Sequence, residues 1–257
     1  MSDDKDTEEL EEGTLLSHLI ELRSRLIKMF AAVIGVFILL LPFANRIFEV
    51  VAKPLVAVLP GQKMIATSVT APLLTPFKLT FFVAILIAIP VVLYQLWAFV
   101  APGLYRKEKR FAFPLLFSSI FLFYAGAAFA YFVVFPLVFG FFVKITPTDV
   151  EMTTDISQYL DFVTMIVLAF GLAFETPIAT VLTVWTGLTT PEKLGKARPY
   201  VFLLAFVIGM LLTPPDVISQ TLLAVPVYVL YEVGIFMSRI FARKPADAED
   251  EAVAADG

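Results

Sequence analysis

Cysteine is absent from this chain, and histidine occurs once, at His18. The first absence excludes disulfide staples and thiolate chemistry and leaves the redox compartment unread. The second excludes a metal centre built from several histidines, and no metal site is expected. No Walker-type phosphate loop is present, so this chain is not expected to hydrolyse ATP. Nor is there a G-x-S-x-G elbow, an H-E-x-x-H pair or a Ser and His pairing inside an apolar run, which argues against an intramembrane protease. No catalytic residue, enzymatic activity or cofactor is expected. Charge is scarce: 16% of residues are Asp, Glu, Lys or Arg, against roughly 25% in soluble domains. The acidic N-terminus lacks a basic n-region, so the first apolar run is expected to remain as a permanent anchor.

Apolar residues take the place of the missing charge, making up 59% of the chain, with a mean hydropathy of +0.87. They form six runs, from about residues 26–44, 79–100, 113–143, 162–185, 200–213 and 217–231. The runs are continuous and do not alternate with polar residues, which predicts membrane-spanning helices and not barrel strands. The net charge of −4 collects in two acidic tails, Asp3 to Glu12 and Asp247 to Asp256, expected to be solvated and unstructured. The domain organisation read from this is an acidic tail over 1–14, a six-span domain over 15–241 and an acidic tail over 242–257.

Basic residues set the orientation. Arg23, Arg25 and Lys28 precede the first span, and Arg106, Lys107, Lys109 and Arg110 lie between the second and third. Lys193, Lys196 and Arg198 separate the fourth and fifth, and Arg239, Arg243 and Lys244 follow the sixth. The opposite side holds Arg46, Lys53, Lys63, Lys78 and Lys144, spread over two longer loops. By the positive-inside rule, both termini are expected to be cytoplasmic.

The spans differ in length. Phe111 to Val143 would be about 50 Å long as one helix, more than the roughly 30 Å hydrocarbon core, so it is predicted to tilt, bend or protrude. The fifth and sixth runs, at some 15 residues, reach only about 22 Å and predict a short hairpin in locally thinned lipid. Thr213-Pro214-Pro215-Asp216 turns the chain between them. Pro42, Pro90, Pro114, Pro136, Pro177, Pro199 and Pro226 fall within or near the ends of the spans. That many potential kinks predict a curved, concave wall. No internal repeat is evident, which weighs against a two-fold transporter.

Glu175 is the one charge between Phe162 and Pro191. A charge at bilayer depth costs on the order of 2.5–3.5 kcal/mol on translocon scales, so intramembrane acids usually serve a function. The plainer alternative is an acid that is protonated or hydrogen-bonded to a neighbouring helix. Leu15 to Leu26 is amphipathic, with Glu21 and Arg25 spaced to pair at i,i+4. This segment reads either as an interfacial lead-in to the first span or as a rim that offers Glu21 to a cation. Glu108, within Arg106 to Arg110, is either incidental to an anchoring loop or a second carboxylate on the same rim. Two such carboxylates would suit guanidinium groups, which a carboxylate grips with two parallel hydrogen bonds. Asp216 is placed to cap the sixth helix. Met210, Thr213 and Gln220 give the hairpin soft or polar groups for packing against another helix.

Several of these runs together resemble the TatC family, the multispanning receptor of the twin-arginine protein translocase. The matching runs are Ser17-His18-Leu19-Ile20-Glu21-Leu22-Arg23, Ala101-Pro102-Gly103-Leu104-Tyr105 followed by Glu108, and Phe170-Gly171-Leu172-Ala173-Phe174-Glu175-Thr176-Pro177. Arg198-Pro199-Tyr200 and Leu212-Thr213-Pro214-Pro215-Asp216 complete them. The likeness extends in order and spacing from about Leu15 to Phe241. It implies an all-α polytopic protein with six helices in a glove-like, concave arrangement. Such a protein would recognise signal peptides bearing consecutive arginines and, with the single-span proteins TatA and TatB, move folded proteins across the bacterial inner membrane on the proton-motive force. The resemblance implies that Glu21 and Glu108 contact the arginine pair and that Arg23, Pro54 and Phe99 shape the recognition region. It places Glu175 on the concave face, makes Asp216 functionally sensitive on the far side, and gives Met210, Thr213 and Gln220 to partner contact. Self-association into a multimeric receptor and contact with lipid are implied, and no nucleic acid. A proton-coupled solute transporter using Glu175 and a membrane scaffold without transport of its own are the rival classes.

Overall fold

The computed structural model describes residues 3–58, 64–100, 109–146, 154–213 and 216–241. Among them the chain is helical almost throughout: α1 (Asp3–Leu40), a 3-10 turn (Leu41–Phe43), α2 (Ala44–Val58), α3 (Ala71–Val100), α4 (Lys109–Phe129), a π-helical turn (Ala130–Val134), α5 (Phe135–Ile145), α6 (Ile156–Ala173), α7 (Thr176–Trp185), α8 (Pro191–Lys196), α9 (Arg198–Leu212) and α10 (Val217–Phe241). Helices satisfy their own backbone groups, which hydrocarbon requires. Among the described residues, five helical stretches are long and apolar enough to cross a membrane: Leu19–Lys53, Ala71–Phe99, Phe113–Ile145, Ile156–Trp185 and Val217–Ile240. A sixth, Arg198–Leu212, is apolar but only 15 residues long. Phe113, Phe117 and Phe121, each two-thirds exposed or more, form one stripe along α4 at helical spacing. Water would not tolerate such a face, but acyl chains solvate it.

The chain forms two compact units. The first comprises Met1–Val51 with Ser68–Ile120, in which α1 packs along α3. Val33 of α1 and Leu79, Ile89, Leu93 and Trp97 of α3 are buried, as are Ala84 and Ala88, small residues one turn apart that permit close helix approach. Phe37 meets Phe81 edge to face, with ring centroids 5.5 Å apart.

The second unit comprises Ala52–Thr67 with Phe121–Gly257. An aromatic ladder joins its third and fourth spans: Phe139 lies 5.6 Å from both Tyr159 and Phe162, and Phe129 lies 5.5 Å from Phe170. The second half of the fourth span, α7, packs against α10. A Cβ added at Gly234 would fall 3.0 Å from the Pro177 Cα, so only glycine permits this separation. Asp155 closes one end of the unit. Its Oδ1 accepts the Ser157 and Gln158 amides (2.8 and 3.1 Å), and its Oδ2 accepts the Thr67 amide and hydroxyl (2.9 and 2.7 Å). A parallel bridge between Ile65 and Asp155 runs beside these bonds.

Several expectations change here. The sixth helix is not short. Its apolar run stops at Tyr231, but the helix continues to Phe241, 25 residues or about 37 Å. Glu232 does not end it, because Arg198 neutralises that carboxylate through two hydrogen bonds of 2.7 Å. The acidic run from Asp3 is helical, since α1 begins there. Of the seven prolines, only Pro90, Pro114 and Pro226 interrupt a helix, joined by Pro76. Pro136, Pro177 and Pro199 each stand second in a helical stretch, and Pro42 lies in the 3-10 turn. The long third span takes up its irregularity in the π turn. Pro136 would otherwise press on the carbonyl of Phe132, one turn back, and the wider turn makes room.

Candidate functional sites

The first site lies in the first unit, where α1 meets the last turns of α3. Glu21 and Arg25 pair across one turn of α1, with Arg25 Nε donating to Glu21 Oε1 at 2.9 Å and Nη2 donating to the same oxygen. Arg25 also reaches α3, where Nη2 donates to the Ala98 carbonyl at 3.0 Å and Nη1 to Gln95 Oε1 at 3.3 Å. The arginine side chain is 18% exposed and the glutamate 35%, so the carboxylate is the outer partner. Phe99, half-buried, follows Ala98, and Arg23 is exposed two residues beyond Glu21. Glu108 and the side chain of Pro54 lie outside the described residues, although the Pro54 backbone belongs to α2.

Glu175 occupies a second site, in the second unit. It sits in the break of the fourth span, between α6 and α7, and is half-buried. Its N–H donates to the Leu172 carbonyl at 3.0 Å, and its own carbonyl accepts from Ala179 at 2.9 Å. The break has a local cause. Pro177 brings no N–H to the Ala173 carbonyl, so the helix ends at Ala173 and restarts at Thr176. An apolar groove of about 490 Å³ opens beside this break, lined by Ala169, Ala173, Thr176, Ala205, Gly209 and Leu223 among others.

The third site is the turn joining α9 to α10. Thr213 is buried, and its hydroxyl donates to the Gly209 carbonyl at 3.0 Å. Gly209 faces the backbone of Gln220 so closely that an added Cβ would lie 3.3 Å from the Gln220 carbonyl oxygen. Asp216 Oδ1 accepts the Ser219 amide at 2.7 Å, capping α10. Met210, one turn before Thr213, is half exposed on the outer face. Thr213, Asp216 and Gln220 thus gather where the chain reverses.

Sequence reasoning passed over three residues that the structure singles out. Gln95 is the lone amide in an apolar helix and could have been marked for that reason. Asp155 begins Asp-Ile-Ser-Gln, an N-cap signature followed three residues later by Gln158. Glu232 lies 34 positions from Arg198, and no local pattern links them.

The fold and these sites define a multi-pass, all-helical membrane protein with polar groups at one helix end, at a break inside the fourth span and at a hairpin. The family model described as Sec-independent protein translocase protein (TatC) matches residues 17–226. The Sec-independent protein translocase protein TatC of Escherichia coli K12 is 55% identical over 237 residues, 92% of each chain. That of Azotobacter chroococcum mcd 1 is 56% identical over 238 residues, 92% of this chain and 93% of the relative. A crystal structure of the twin arginine translocase receptor TatC superposes with a TM-score of 0.79 at 41% identity, covering 88% of this chain and 100% of that one. This chain belongs to the TatC family. It is a component of a protein translocase, and its all-helical fold is that of the receptor.

Proposed function

We propose that this protein is the core of a twin-arginine translocation system, recognising signal peptides with consecutive arginines at a rim formed by Glu21 and Glu108. The domain of residues 15–241 would hold the six spans between the two acidic tails, and by the positive-inside rule both termini and the rim would lie at the cytoplasmic face of the bacterial inner membrane. The observation that carries the reading is the Glu21 carboxylate. Arg25 holds it at Oε1, and a third of the side chain remains open to an incoming cation.

A guanidinium is planar, always charged and weakly hydrated, so an oriented carboxylate at the water–lipid boundary suits it. Arg23 and Phe99 would border the captured pair, as would Pro54. The signal's apolar segment would then enter the bilayer along the protein, bringing it to the depth of Glu175. The groove beside the α6–α7 break, with its small and apolar lining, would seat a single-span helix of TatA or TatB. Met210 lies on α9 and Gln220 on α10, two of the helices that line the groove, with Thr213 capping the first, and Asp216 would keep the far-side turn in register. The 15 residues of α9 reach about 22 Å, which would thin the surrounding lipid where a folded passenger crosses. Further copies of the chain would complete the receptor, and the proton-motive force would supply the energy.

Changing both Glu21 and Glu108 to Gln tests the reading. The double variant should lose photo-cross-linking to a twin-arginine signal peptide while keeping its helical content. Undiminished cross-linking would remove the rim from recognition.

A further inference from the structure

Arg25 enters the recognition scheme above only as the group that holds Glu21, yet its guanidinium bonds to three groups at once. We propose that Arg25 is a positioning residue that orients Glu21 so that the rim selects paired arginines over paired lysines. The inference rests on the recognition reading and assigns its specificity.

Three acceptors meet the Arg25 guanidinium: Glu21 Oε1, Gln95 Oε1 and the Ala98 carbonyl. Two of the three belong to α3, so the guanidinium stays anchored whatever Glu21 engages. It is also the deeper partner, at 18% exposure against 35%. Both Arg25 donors that reach Glu21 converge on Oε1, and a carboxylate oxygen offers two lone pairs. Oε1 is therefore filled from within, and among the described residues Oε2 accepts no hydrogen bond, which leaves it to an incoming donor.

An incoming guanidinium edge can place two N–H groups on Oε2, as Arg25 does on Oε1. An ammonium is a compact point charge with no such edge and gains nothing from a fixed plane. Without Arg25 the carboxylate would rotate about its own bonds, and lysine would find either oxygen. The selectivity lost would be about tenfold, the weight of one oriented, charge-assisted hydrogen bond.

The test uses the full-length protein in lipid nanodiscs and three fluorescent leader peptides, identical except for Arg-Arg, Lys-Lys or Gln-Gln at the pair. Wild type should rank them in that order. Arg25→Gln should weaken the Arg-Arg leader about tenfold and change the Lys-Lys leader less than twofold. Gln95→Ala, which loosens the anchor without changing charge, should move the ratio in the same direction by less. In a Glu21→Gln background, Arg25→Gln should no longer alter the Arg-to-Lys ratio. An unchanged ratio in Arg25→Gln overturns the proposal, as does equal strengthening of both charged leaders, the signature of a competing cation. A ratio change that persists without Glu21 also overturns it. If Arg25→Gln does not fold, an unchanged ratio in Gln95→Ala overturns it alone. Failure of the recognition reading looks different, because wild type itself would then not separate Arg-Arg from Gln-Gln.

Discussion

Replacing Gly234 by alanine measures how tightly α10 is set against the restarted fourth span. The added methyl would collide with the Thr180 hydroxyl oxygen, lie 3.0 Å from the Pro177 Cα and 3.2 Å from the Thr180 Cβ. Neither neighbour yields easily. Pro177 presents backbone, and the Thr180 hydroxyl is held by the Pro177 carbonyl at 2.8 Å. The helices must therefore separate by several tenths of an ångström. Overpacking of this kind costs about 1–3 kcal/mol, against which alanine recovers about 1 kcal/mol of helix propensity. The net loss is therefore about 0–2 kcal/mol, and a collision against held groups puts it toward the upper end. Gly140 is the control: it lies within α5, and nothing comes within 4 Å of its added Cβ. There the substitution should be neutral or stabilising by up to about 1 kcal/mol. Thermal unfolding of the purified variants in one mild detergent, followed by tryptophan emission, gives the comparison. Trp185 at the end of α7 reports directly on the affected helix. A midpoint for Gly234→Ala at or above that of Gly140→Ala would show that the α7–α10 contact is not close-packed.

Three further expectations address the remaining sites. The Thr67 hydroxyl and amide, with the α6 amides, hold the Asp155 carboxyl down at about 2 against its ordinary 3.8. A depressed acid contributes its stability above the ordinary value and loses it as pH falls through the folded one. Protection factors at the Ile65 and Ile156 amides, which remove the pH dependence of intrinsic exchange, should therefore be high at pH 5 and fall near pH 2, and Asp155→Ala should lower them at both. Slow exchange in that variant would deny Asp155 its fastening role. For the Arg198–Glu232 pair, each charge reversal alone should lower the unfolding midpoint, and the double swap, Arg198→Glu with Glu232→Arg, should recover part of it. Equal loss in single and double variants would assign the effect to packing. Glu175→Ala should leave leader binding intact and reduce passenger export in membrane vesicles. Wild-type export would make Glu175 structural.

The helical class and the order of the spans were legible because both follow from uninterrupted apolar runs, which only lipid solvates. The short fifth helix was legible for the same reason, from Arg198 at one end and Thr213 at the other. The length of the sixth was not, because Glu232 looks like an end in sequence and becomes an interior residue once Arg198 is beside it. Proline positions were visible but their consequences were not. A proline kinks a helix or starts one according to whether its neighbours continue the hydrogen-bond ladder, and Pro177 starts one. For that reason Glu175 could be recognised as an acid at bilayer depth but not as the residue at a helix break. At the rim, the spacing of Glu21 and Arg25 announced their pair. The reach of Arg25 to Gln95 and Ala98 spans some seventy positions, beyond any periodicity. The capping role of Asp155 was written in its pattern, but its bonds to Thr67 cross 88 positions and leave no local trace.

Titration of the wild-type protein in nanodiscs, at one fixed ionic strength, with a leader peptide carrying two arginines and with the same peptide carrying two glutamines tests the central claim most directly. Capture of guanidinium by the rim carboxylates predicts tight binding of the first and at least tenfold weaker binding of the second, about 1.4 kcal/mol or more. Equal affinity for the two would contradict it.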